Sequence, residues 1–189
     1  MCIRDSRVGM RLFEIGGLAT RRRRLTESAI PHLHTLGTAT GLAVQLGILD
    51  GTEVVYLHRI TAGDFDLPTR DGGRKPAYCT GLGKAMLAFD PEAAAEVLAG
   101  DLPPRTRQTL TTPKSLSAEL ERITRSGLAH DREEAYEGLT CVAAPLRSTG
   151  RAIAAVSVTG PTDRFDADTI APMVRQTAAA IWAERFPRC

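Results

Sequence analysis

The chain has 189 residues, 43% of them hydrophobic and 24% charged, with a formal net charge of +2. These are ordinary values for one globular domain, or a domain with a small appendage, and so slight a charge does not by itself argue for nucleic acid. No apolar run nears the roughly 20 residues that cross a bilayer, and the start, "MCIRDSRVG", lacks the apolar core of a signal peptide; the sequence reads as a soluble, cytoplasmic protein with no membrane partner.

The first periodic segment is "RVGMRLFEIGGLAT". Val8, Leu12, Phe13, Ile15 and Leu18 sit at roughly helical spacing, which predicts a short helix weakened by Gly16-Gly17. The run Arg21 to Arg24 follows, read as a solvated turn or linker, with a phosphate-backbone contact as the alternative. "LTESAIPHLHTLGTATG" predicts a second helix, capped by Thr26, striped by Ile30, Leu33 and Leu36, and stopped at Gly41. "LAVQLGILD" and "TEVVYLHRI" flank Asp50-Gly51 and predict a tight antiparallel hairpin. Arg70 to Pro76 reads as a loop.

Next comes "YCTGLGKAMLAFD", Tyr78 to Asp90. A P-loop would need glycine at Tyr78 and a hydroxyl at Ala85, so the nucleotide reading fails at two fixed positions. A simpler reading remains: Thr80 caps a helix that Gly81 to Gly83 open and that runs on to Phe89. Free amides at such a start attract anions, carboxylates included. The competing reading is that the glycines only allow tight packing on a sheet. Lys84 is expected at the surface. "DPEAAAEVLAG" predicts a helix with proline in its first turn, and "SLSAELERITRSG" another, with a serine cap and a glycine stop. Then come a strand start, a charged loop and a second hairpin with arms Thr140–Leu146 and Ala152–Thr159. The tail places Ile170, Met173, Val174, Ala178, Ile181 and Trp182 on one helical face.

The order of helix, hairpin, helices, hairpin and helix describes an α+β domain, an antiparallel sheet flanked by helices. Four residue types then invite chemistry. Ser157 and Thr159 alternate in "AVSVTG", so both hydroxyls lie on one face of a strand. Burying them unpaired is costly, and a polar ligand near Gly81 or a backbone partner would satisfy them. Cys141, in "TCVAAPL", is either a small buried hydrophobe or a nucleophile with His130 as its base. The four cysteines, Cys2, Cys79, Cys141 and Cys189, form no C-x-x-C pair, and the four histidines share no ligand face, so neither a metal site nor a cofactor is expected.

Taken together, "RVGMRLFEIGGLA", "LDGTEVVYLHRI", "TGLGKAMLAF", "DREEAYEGLTCVAAPLR" and "AAVSVTGP" resemble the effector-binding part of the IclR family of bacterial transcriptional regulators, in the family's order and over nearly everything from Arg7 on. The resemblance implies a GAF-like sensor fold behind a linker helix, and a winged helix-turn-helix before that helix. The first twenty residues have no room for such a module, so the chain is expected to lack it. Residues 1–6 are expected to be a non-native or disordered start, 7–24 a linker-helix remnant, and 25–189 the effector-binding domain. The resemblance further implies a small carboxylic acid effector held by Gly81, Leu82, Asp131, Cys141, Ser157 and Thr159. Asp131 would accept from a ligand hydroxyl or hydrate. A homodimer or homotetramer follows from the same likeness, with DNA reached only through the missing module. The leading reading is therefore a ligand sensor and not an enzyme. A small-acid enzyme using Cys141 and a ligand-free dimerisation module stay open beside it.

Overall fold

The structure is a computed structural model that describes residues 8–61, 65, 67–147 and 149–186, without the side chains of residues 8–21. The expected non-native start at 1–6 lies outside the described residues, as do Cys2 and Cys189. No helix among the described residues is long and apolar enough to cross a membrane.

The first element is α1, Val8–Thr40, followed by β1, Ala43–Asp50, and β2, Glu53–Ile60. After β3, Arg74–Pro76, come three helices: α2, Gly81–Leu87, α3, Pro91–Ala99, and α4, Pro113–Ser126. The chain closes with β4, Ala129–Arg132, β5, Leu139–Leu146, β6, Ala154–Pro161, and α5, Ala167–Arg185. The strands form one antiparallel sheet in the order β3-β2-β1-β6-β5-β4.

Where two N-terminal helices were expected there is one. Gly16-Gly17 and the arginine run lie inside α1, and Thr26 does not cap: its hydroxyl donates to the Arg22 carbonyl at 3.0 Å within the helix. A helical glycine costs only about 1 kcal/mol. Against that, Leu25, Ala29, Leu33 and Leu36 recur on one face and are all buried, so the packed stripe overrides the local breaker. Arg22, Arg23 and Arg24 are exposed, and Arg23 pairs with Glu27 at 2.7 Å, as a solvated helix face would.

The first hairpin forms as expected but one residue later. Asp50 is already paired with Glu53, and Gly51-Thr52 make the turn, with Gly51 at φ 60° in the left-handed region that glycine adopts freely. The expected loop 70–76 ends in the short edge strand β3, paired with Glu53 to Val55. Cap chemistry explains the helix starts. Thr80 accepts from the Gly83 amide, Asp90 from Ala93, and Thr112 from Ser115. The cap of α4 is thus Thr112, with Pro113 in the first turn, and not a serine; its stop at Gly127, φ 71°, is the one expected.

Alternation splits the sheet residues between two cores. Val44, Leu46, Val142, Ala144, Val156 and Val158 face α1 and α5. Val54, Tyr56, Ala143 and Ala155 face α2, α3 and α4. On that second side α2 is buried along its whole length. Glycine permits this. A Cβ at Gly81 would lie 2.3 Å from Cys141 Sγ, and one at Gly83 would lie 2.2 Å from the Ala77 carbonyl oxygen. Gly81 is thus packed tightly on the sheet, and Gly83 on the turn that leads into the helix.

Gly83→Ala is expected to cost on the order of 3 kcal/mol, because the obstructing atoms are backbone and cannot step aside. Gly100→Ala, whose Cβ would meet nothing nearer than 3.6 Å, is expected to change stability by less than about 0.5 kcal/mol. Urea unfolding of the two variants checks the contrast.

Candidate functional site

Strand register builds the site. Asp131 on β4 lies opposite Cys141 on β5, and Cys141 opposite Thr159 on β6. In the next row Ala143 lies opposite Ser157, and Ser157 opposite Gln45 on β1. Both rows point to the α2 side. There Gly81, Leu82, Asp131, Cys141, Ser157 and Thr159, all six residues singled out in the sequence, line one void together with Gln45, Tyr56 and Tyr136. The void holds about 30 Å³, room for about two water molecules. Two larger, more open hollows adjoin it. One, of about 400 Å³, shares Thr80, Ala135 and Tyr136 with the void. The other, of about 500 Å³, shares Tyr56 and Leu67 to Thr69. Between them the Tyr136 hydroxyl reaches the Pro68 carbonyl at 3.5 Å, roofing the void.

The amides at the start of α2 are already divided. Gly83 N–H goes to Thr80 Oγ1 at 3.2 Å, and Gly81 packs against Cys141 Sγ. Leu82 N–H has no acceptor among the described hydrogen bonds.

The two strand hydroxyls have a partner the sequence reading did not name. Gln45 Oε1 accepts from Thr159 at 3.1 Å and from Ser157 at 3.4 Å, while its Nε2 donates to Thr69 Oγ1 at 2.7 Å. Gln45 is buried. One sequence signal existed: it is the lone amide in the apolar run Leu42 to Ile48.

Asp131 is 8% exposed. Its Oδ1 accepts from the Glu134 amide at 2.7 Å and the Ala135 amide at 3.4 Å. Burial pushes its pKa up to about 7, with Glu134 adding to the rise and Lys84 opposing it. Burial likewise raises Glu134, against the pull of Lys84. Lys84 is the correction here: the expected surface lysine is fully buried, bonded to Glu134 and 4.0 Å from Glu119. Its position four residues beyond the Thr80 cap, on a helix buried all round, turns it inward. The surplus of acids in "DREEA" was the available hint of a buried partner.

Cys141 does not have the surroundings of a nucleophile. Burial drives its thiol far above the ordinary range, where thiolate is scarce. His130 alternates with Asp131 along β4 and lies opposite Val142, on the other face of the sheet. Burial also lowers His130 to about 4, which leaves it neutral near pH 7. Among the described residues no group of three or more His, Cys, Asp or Glu side chains is arranged to hold a metal ion.

The site and fold can now be set beside known proteins. The family described as bacterial transcriptional regulator IclR C-terminal matches residues 18–183. The HTH-type transcriptional regulator KdgR of Escherichia coli is 33% identical over 165 residues, which cover 85% of this chain and 63% of KdgR. The HTH-type transcriptional regulator BhcR of Paracoccus denitrificans is 36% identical over 165 residues, 84% of this chain and 58% of BhcR. The chain thus spans about three-fifths of the length of these relatives. Among solved structures, an IclR homolog from Microbacterium hydrocarbonoxydans complexed with 4-hydroxybenzoate superposes with a TM-score of 0.84 at 29% identity, over 93% of this chain and 73% of that one. The C-terminal domain of E. coli KdgR gives 0.75 at 30% identity, over 85% and 97%. The six-stranded antiparallel sheet, the helices on its two faces and the run of matching sequence agree: the chain belongs to the IclR family of bacterial transcriptional regulators and carries its C-terminal, effector-binding domain.

Proposed function

We propose that this domain senses a small organic acid, not as an enzyme but as the ligand-binding part of a cytoplasmic regulator. Gly81, Leu82, Asp131, Cys141, Ser157 and Thr159 form the effector site in this reading. DNA contact is made by a winged helix-turn-helix preceding the segment, and the whole works as a homodimer or homotetramer. The observation that carries the reading is the convergence, in one void, of two buried hydroxyls, a helix-start amide and an aspartate. The IclR homolog complexed with 4-hydroxybenzoate is an acid-bearing relative of the same fold and supports it.

The chemistry follows from what the void offers. A carboxylate needs donors, and Ser157, Thr159 and the Leu82 amide are donors. The two hydroxyls are occupied by Gln45 Oε1, an sp² oxygen like that of a carboxylate. The ligand therefore enters by exchange: its carboxylate takes the two hydroxyl bonds, Gln45 turns away, and the void enlarges. Cys141 contributes a small apolar wall.

Three outcomes test this. A thermal-shift series of short carboxylic acids is expected to raise Tm by about 3–6 °C at ten times Kd, and the joint change of Ser157→Ala and Thr159→Val to remove the rise; a flat response to every acid leaves the ligand-free dimerisation module. Gln45→Leu deletes the internal competitor and orphans both hydroxyls in the free protein. Calorimetry should then show a lower resting Tm with acid binding tightened about tenfold, whereas weakened binding would make Gln45 a ligand contact instead. The third outcome is electrostatic. Folded Asp131 keeps its proton up to about pH 7, whereas unfolded it loses it near 3.8, so folding takes up a proton between these values and its contribution to stability falls as pH rises from about 3.8 to about 7 and is gone above it. An anionic ligand meets a neutral Asp131 below pH 7 and a charged one above. Its Kd should be flat below 7 and rise by up to about tenfold per pH unit above it, and Asp131→Asn should flatten the profile.

A further inference from the structure

The hollow of about 400 Å³ beside the effector void is lined by Lys75, Cys79, Arg105, Thr106, Tyr136 and Glu137, among others. It meets the void at Thr80, Ala135 and Tyr136, so a ligand longer than the void runs into it. Two cations stand there, and neither is loose. Lys75 Nζ lies 4.9 Å from the centre of the Tyr136 ring, and the Arg105 guanidinium stands beside the Tyr78 hydroxyl, which holds it in its charged form. Tyr78 is itself fixed, donating to the Pro103 carbonyl at 2.5 Å. Two of the other basic groups on this side of the sheet are paired, whereas Arg70 lines the separate hollow beside Leu67 to Thr69. Arg74 pairs with Asp50 and Glu53, and Arg59 donates to the Leu67 and Thr69 carbonyls. Lys75 and Arg105, by contrast, have no carboxylate within ion-pair distance among the described residues, and Glu137 on the same wall pairs with neither. Two cations on one wall, Lys75 over the Tyr136 ring and Arg105 beside Tyr78, at the mouth of the proposed carboxylate site, form a ready acceptor for a second.

We propose that Lys75 and Arg105 form a distal anion subsite, and that the effector is a dianion, a dicarboxylic acid whose far carboxylate sits between them. This rests on the sensor reading above and narrows it to a ligand class. The near carboxylate exchanges with Gln45, the carbon chain passes between Thr80 and Tyr136, and the far carboxylate reaches water-accessible cations. Because Arg105 is exposed and Lys75 half-buried, this second contact is screened by salt more than the first.

The test compares chains of equal length with one and two acid groups: butanoate with succinate, pentanoate with glutarate and hexanoate with adipate, titrated calorimetrically into the 189-residue chain at low ionic strength. At one chain length or more the diacid is expected to bind about tenfold tighter than its monoacid. Lys75→Ala and Arg105→Ala should each erase most of that ratio while leaving monoacid binding as it was. Raising salt to about 0.5 M should shrink the ratio, and Lys75→Arg should keep it. Circular dichroism of each variant separates lost folding from a lost contact. If monoacids bind and no diacid is preferred, or if the preference survives both alanine variants, the distal subsite is wrong and the sensor reading stands. If neither series binds, the sensor reading fails and takes the subsite with it.

Discussion

The approach of α2 to the sheet is the constraint from which the rest of the site follows. Gly81 and Gly83 let the helix backbone settle where a single methyl group would strike Cys141 or the Ala77 carbonyl. At that distance every residue of α2 is buried, including a lysine. A buried ammonium must be paired, and the pairing partners are supplied by two other elements, Glu134 from the loop after β4 and Glu119 from α4. The link to Glu134 in turn sets the loop whose amides hold Asp131. The glycines thus act at one remove on the aspartate.

The charge balance of this side of the molecule is unusual for a site that would take an anion. Asp131 and Glu134 are both buried carboxylates, and one lysine lies between helix and loop. An added carboxylate would meet repulsion if Asp131 were ionised. The protein lessens this by burial, which holds Asp131 protonated to about pH 7, and by donors that carry no charge: two hydroxyls and an amide. Neutral donors cost less to bury than cations when the site is empty. Arg105 and Lys75, which make no ion pair among the described residues, stand outside in the more open hollow.

Much of this was legible in the residues. Thr80 as a cap, the two hairpins, and the two-residue alternation of Ser157 and Thr159 are local signals, and the register then carries them across the sheet to Cys141 and Asp131. What was not legible depends on partners far along the chain. Lys84 looks like a surface residue until Glu134, fifty positions later, is known to face it. The Gln45 amide looks like an interruption in an apolar strand until Ser157, 112 positions away, is seen across the ladder. The continuity of α1 failed to show for a related reason: glycines weigh against a helix locally, and the stripe of Leu25, Ala29, Leu33 and Leu36 outweighs them only once β1 and α5 are present to cover it. The brief strand β3 shows no alternation at all, and only its pairing with β2 defines it.

Gln45 also marks where the two halves of the molecule touch. Its neighbours on β1, Val44 and Leu46, project to the opposite face and pack with Leu33 and Leu36 of α1. On β6, Ser157 stands between Val156 and Val158, which belong to that same core. The wall of the void and the floor under α1 are therefore the same two strands seen from opposite sides. A close-packed core transmits a displacement of its wall because no free volume absorbs it. If a ligand turns Gln45 out of its hydroxyl cradle, the strain falls on β1 and is met on the far side by α1, the helix that leads toward the start of the chain. On that reading no long relay separates the void from α1: one strand, its side chains alternating, borders both.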